Sequence, residues 1–191
     1  MAPFIANYLY QQVYNGKIAL DLARPVGFLS QMLALQVGYT VGLIPYVVLA
    51  FPAAWLLGGL QPPASALDAL LYVFSLALAY LISVLLGLLL GLSAFWTLEM
   101  GGFLGMYRFV SQFFAGALVP LPFFPPPLRA VTGILPFQAQ AYAPLTLYEG
   151  QVQGVSVVAP LALQLFWVVA LYALSRVVWR RALRRVVVQG G

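Results

Sequence analysis

LDALLYVFSLALAYLISVLLGLLLGLSAFWTL, residues 67 to 98, carries one ionised side chain, Asp68, at its second position. About 20 apolar residues cross the hydrocarbon core of a bilayer, so this run is a membrane span with length to spare, and it must tilt or protrude beyond the headgroups. The whole chain agrees with that reading. Of its 191 residues 63% are hydrophobic and 7% charged, and its mean hydropathy is +0.97. A soluble domain of this size could not hide so much apolar surface from water. The expected fold is therefore an all-α integral membrane protein.

Working outward, the hydropathy pattern predicts about four transmembrane helices, over residues 31–58, 67–98, 103–119 and 155–179. Before the last one stands PLPFFPPPLRAVTGILPFQAQAYAPLTLYEG, residues 120–150, apolar yet crowded with proline. Proline breaks helices, and irregular backbone at membrane depth is tolerated only where protein or a cavity shelters it. A re-entrant hairpin follows, with Leu128 to Leu135 as one arm and Gln138 to Tyr148 as the other. A loop lying at the headgroups is the alternative. Lys17 and Arg24 precede the first span, and Arg180, Arg181, Arg184 and Arg185 follow the last, in a tail over 180–191. Because basic residues flank spans on the cytoplasmic side, both termini are expected there. The connection after the first span lacks Lys and Arg, as an outer loop should.

Along the second span, small residues recur every fourth position at Ser75, Ala79, Ser83, Gly87 and Gly91. Such a seam lets another helix approach closely. Gly38 and Gly42 repeat the pattern in the first span. Trp96 and Trp179 sit where aromatic belts anchor spans at an interface. Glu99 and Arg108 lie near an inner boundary, where pairing with each other or with water is expected.

Several kinds of chemistry are missing. The chain has neither cysteine nor histidine, which removes thiolate nucleophiles, the commonest general base and the commonest metal ligands. An intramembrane hydrolase would need a nucleophile with its base, or two facing acids; Asp21 and Asp68 fall on opposite sides. A secondary transporter would place ionisable groups near mid-membrane, and no acid lies mid-span. The arginines have a membranous context rather than the solvated basic face of a nucleic-acid binder. No basic and apolar N-terminal pattern of a cleavable signal peptide is present.

The most charged stretch is NGKIALDLARPV, residues 15–26. As a helix over 15–24, its spacing sets Lys17, Asp21 and Arg24 on one face, with Ile18 and Leu22 beside them, and Pro25 ends it. A short amphipathic helix just before a span can lie on the membrane or dock on a protein. An all-basic face would suit an anionic leaflet best; Asp21 interrupts it and favours a protein partner.

GKIALDLARPV resembles the cytoplasmic coupling segment of the permease subunits of bacterial type-2 ABC exporters. LPFQ at 135–138 with Pro144 and Gly150, and the ending WRRALRRVVVQGG, are similar to the segment before the last span and the tail of one branch of that family. The resemblance implies a single permease domain over 1–191, with a coupling segment over 8–27. It also implies assembly with a second permease copy or a sister permease, and an ATP-binding subunit on which ATP is hydrolysed with magnesium. This chain has no G-x-x-x-x-G-K-[ST] loop, so it binds no cofactor of its own in that arrangement. Lys17, Ile18, Asp21, Leu22 and Arg24 would make the ATPase-coupling contact. Family permeases usually have six spans, and these four match the last four. The setting implied is a bacterial plasma membrane, with lipids as neighbours and no nucleic acid. A non-transporting membrane scaffold is the alternative reading.

Overall fold

The computed structural model describes residues 4–58, 65–97, 100–150, 152 and 154–189. Among these residues the secondary structure is entirely helical, in eight α-helices joined by turns and three 3₁₀ turns. Helix α1 spans Phe4–Tyr14, α2 Ile18–Leu22, α3 Phe28–Gly58, α4 Ala66–Leu92 and α5 Met100–Phe114. The chain continues through α6, Pro126–Ile134, α7, Gln138–Tyr148, and α8, Val158–Gln189. An all-α membrane fold is what the hydropathy pattern predicts.

Each boundary has a local cause. Helix α4 starts at Ser65, whose extended backbone and hydroxyl cap the Asp68 N–H at 3.1 Å, satisfying one of the donors a helix start leaves open. Helix α5 stops where Gly116 takes φ +80°. There the Gly116 N–H reaches the Phe113 carbonyl at 3.2 Å and the Ala117 N–H reaches that of Gln112 at 3.1 Å, the paired closing bonds of a Schellman motif. Only glycine adopts that conformation without strain.

This stop shortens the third expected span. Helix α5 has 15 residues, about 22 Å at 1.5 Å per residue, against the 103–119 expected from hydropathy. Among the described residues, three helical segments are long and apolar enough to cross a membrane: Phe28–Ala50, Ala66–Phe95 and Gly154–Arg185. Pro45 and Pro52 lie inside α3, where each removes a backbone donor.

The proline-rich segment forms two short helices, α6 and α7, close to the two arms expected. Pro125 and Pro126 open α6, where a missing N–H costs nothing. Arg129 Nη2 donates to the carbonyls of Pro122 and Phe124, tying the preceding turn to α6. At the other end, Gln138 Nε2 donates to the Gly133 carbonyl at 2.7 Å and Trp167 Nε1 to that of Ile134 at 2.9 Å. These bonds satisfy carbonyls that a helix end leaves open.

Helix α4 is the centre of the molecule and packs on α7, α8 and α1. Ile82 and Leu85 of α4 meet Ala139 of α7 and Leu171 of α8 in one buried cluster. Lower down, Leu88, Leu92 and Phe95 join Ile5, Leu9, Ile18, Phe28, Met32 and Ala182 in another. That second cluster gathers α1, α2, the start of α3, the end of α4 and the end of α8 at one base. Phe28 and Trp179 stack there with centroids 3.8 Å apart and planes 8° from parallel. Helix α3 is peripheral: from Val41 to Ala50 every residue is exposed, an apolar face suited to lipid or to another chain.

Candidate coupling site

At the base, α1 ends at Gly16, with φ +68°. The Gly16 N–H bonds to the Val13 carbonyl at 3.1 Å and the Lys17 N–H to that of Gln12 at 2.9 Å, again the Schellman pattern. Asn15 and Gly16 thus close α1 instead of opening the next helix, and α2 is five residues long, shorter than the helix expected over 15–24.

The turn sets the rotation of α2. Ile18 is buried among Ile5, Leu9, Met32 and Leu92, and Leu22 packs against the same cluster. Asp21 faces inward with them and is only 2% exposed. Its Oδ2 accepts from the Tyr8 hydroxyl at 2.9 Å, and its Oδ1 from Gln31 Nε2 at 3.3 Å. Gln12 Nε2 in turn donates to the Tyr8 oxygen at 2.7 Å. One carboxylate therefore fastens α2 to α1 on one side and to α3 on the other. Burial raises the Tyr8 pKa above its ordinary 10.0 and outweighs the hydrogen bond from Gln12, and the Asp21 carboxylate adds to the rise.

Arg24 approaches Asp21 at 3.7 Å, but its side chain is 59% exposed, so this ion pair contributes little to stability. The outward face of α2 holds exposed Lys17 and Arg24, with Leu20 between them at 69% exposure. Lys17, Asp21 and Arg24 do not share one surface, and Ile18 is committed to the interior. Leu20 escaped sequence reasoning, although its spacing of three and four residues from Lys17 and Arg24 is helical.

Helix α1 is itself held to α3. The Ile5 N–H donates to Gln36 Oε1 at 2.9 Å, and Phe4 stacks on Tyr39 at 4.4 Å. Against α4, α1 lies so close that a Cβ built on Gly91 would sit 2.8 Å from Leu9 Cδ1 and 3.1 Å from Ala6 Cα. The seam on α4 has several destinations. Gly91 meets α1, and buried Ser75 donates to Gln164 of α8 at 2.9 Å. Gly87 is buried, whereas Ala79 and Ser83 border a cavity. Gly38 and Gly42 have open space around them. Trp96 lies under the Arg185 guanidinium, 5.8 Å from the ring centroid. Glu99, expected near Arg108, lies outside the described residues.

A family model described as ABC-2 family transporter protein matches residues 3–190. The chain belongs to the ABC-2 transporter family. Searches of curated proteins and of solved structures find no match. As an ABC-2 protein it is a membrane transport component of permease type, a member of a family that is not itself catalytic. The match takes in α1, the charged stretch over 15–26, the three long apolar segments and the α6–α7 pair. What sequence reasoning missed in this ABC-2 chain is the set of neutral polar partners, Tyr8, Gln31, Gln36 and Gln164. The signal was there in principle, since buried amides are retained only where they find hydrogen bonds.

Proposed function

We propose that this chain is the membrane-spanning permease subunit of an ATP-driven exporter in a bacterial plasma membrane, with both termini in the cytoplasm. It works with a second permease, identical or a sister, and with a separate subunit that binds and hydrolyses ATP with magnesium. The observation that carries this reading is the placement of α2. Its inner face is locked by Ile18, Leu22 and Asp21 into the cluster that joins the ends of α3, α4 and α8, while Lys17, Leu20 and Arg24 face outward. A push on the outer face would be passed to the spans as a rigid-body motion, because packed interfaces shift between discrete arrangements more readily than they deform. In this division of labour Lys17 and Arg24 contact the ATP-binding subunit with Leu20 as the apolar anchor. Ile18, Asp21 and Leu22 transmit from within.

The test is co-purification of the tagged chain from its host in mild detergent. The paired substitution Lys17→Glu with Arg24→Glu, and separately Leu20→Asp, should cut recovery of an ATP-binding subunit roughly tenfold while shifting the chain's own unfolding temperature by only a few degrees. Full recovery of that subunit with both variants, or a chain that brings down no ATP-binding subunit at all, would overturn the proposal.

A further inference from the structure

Helices α3, α4, α5 and α7 border a broadly open cavity of 670 Å³, within the size range of small-molecule sites. Polar side chains from all four helices converge on it: Thr40, Tyr80, Ser83, Ser111, Gln112 and Gln140. Among the described residues, no Asp, Glu, Lys or Arg lines it. Val73, Leu76 and Ala77 make one wall apolar.

We propose that this cavity is a binding site for an uncharged amphipathic molecule, one with a hydrocarbon part and a few hydroxyl, ester or amide groups. Three observations on its walls converge. A charged ligand would find no counter-ion at this depth, and an unpaired charge inside a membrane is costly. Gln140 lines the cavity, and its buried Nε2 has no hydrogen-bond partner among the described residues; a turn of that amide toward the space would let an ester or amide carbonyl satisfy it. Thr40 donates to the Gln36 carbonyl at 2.9 Å, so in its 2.8 Å contact with Tyr80 the phenol is the donor; that leaves lone pairs of the Tyr80 oxygen able to accept from a ligand hydroxyl. Polar groups at one pole and aliphatic ones at the other match the two ends of an amphiphile. Ala79 and Ser83, read from sequence as helix-packing positions, also border this space.

The inference stands on the cavity alone, whether the occupant is a resident lipid or a transported molecule. To test it, the full chain in lipid nanodiscs is exposed to three diazirine probes of equal chain length: a monoacylglycerol, a fatty acid and an alkyl trimethylammonium. Label is located by proteolysis and mass spectrometry. The neutral probe should label the segments around Tyr80 and Ser111 several-fold more than either charged probe. Ala77→Phe, which fills open space, should abolish that label; Gln140→Leu and Ser111→Ala should each lower it several-fold. Label on the exposed face of α3 serves as the control for folding and insertion. Equal labelling by all three probes, or label indifferent to Ala77→Phe, would overturn the inference. So would Ser83→Cys forming a disulfide between two copies with no label in the cavity, because a second chain would then be the occupant. Competition by unlabelled diacylglycerol identifies the source as bilayer lipid. Competition by a short-chain neutral amphiphile alone identifies a molecule other than bilayer lipid.

Discussion

Tyr8 donates a 2.9 Å hydrogen bond to the buried carboxylate of Asp21, and that bond ties α2 to α1. Gln31 supplies the second donor from α3. Removing the carboxylate strands two polar groups at once, and each unpaired group costs about 1–3 kcal/mol. Asp21→Ala should therefore lower stability by roughly 2–6 kcal/mol, and Tyr8→Phe by about 1 kcal/mol. Arg24→Ala should cost under about 1 kcal/mol because its ion pair is exposed. Thermal unfolding followed by circular dichroism in detergent ranks the three. A cost for Asp21→Ala no larger than that for Arg24→Ala would sink the latch.

The pH dependence of the latch has a definite sign. The folded chain holds the Tyr8 proton more tightly than an ordinary phenol of pKa 10.0 does. A raised folded pKa gives a contribution that is complete below the unfolded value and is lost as pH rises through the folded one. The stability difference between the unaltered chain and Tyr8→Phe should stay constant at neutral pH and shrink only above pH 10.0. Unfolding measured across neutral and alkaline buffers checks this, and a difference already shrinking at neutral pH would contradict it.

Glycines of the same spacing are predicted to behave differently. At Gly91 a methyl group would meet Leu9 Cβ at 3.0 Å and Ala6 Cα at 3.1 Å. Backbone cannot rotate out of the way, so Gly91→Ala should push α1 off α4 at a cost of about 1–3 kcal/mol. Gly38→Ala and Gly42→Ala meet nothing and should leave the unfolding of a single chain unchanged. If copies pair across α3, those two variants should instead weaken the dimer, which light scattering in detergent would detect.

Much of the fold was legible in the sequence because hydropathy needs no partner to be read. The apolar run of α4 and the proline break before α6 each declare themselves locally. The end of α5 was less clear: residues 115–119 are apolar enough to continue a span, and only the left-handed backbone at Gly116 stops the helix. In residues 15–26, helical spacing could not tell which side of α2 would be covered by α1. Ile5 and Leu9 decide that by taking in Ile18; once Ile18 points inward, Asp21, three residues on, must follow. The cavity was illegible for a related reason. Small residues on α4 read alike whether a helix or a void faces them.

Gln164 carries the last prediction. It is fully buried on α8, where its Oε1 accepts from Ser75 and its Nε2 donates to the backbone carbonyls of Ser75 at 3.1 Å and Ala139 at 2.8 Å. One side chain thus bonds α8 to α4 and to α7 in the buried interior. Between helices in lipid the hydrophobic effect offers no drive, and each interhelical hydrogen bond contributes about 0.6–2 kcal/mol. Gln164→Leu keeps the volume and removes all three bonds, so it should destabilise the chain by about 2–4 kcal/mol. Ser75→Ala removes only one and should cost about 1 kcal/mol. Combined, the pair should cost no more than Gln164→Leu alone, since the Ser75 hydroxyl bond is already lost in that variant. Denaturant titration in mixed micelles reads all three. Additive costs would mean that Ser75 and Gln164 do not share a bond.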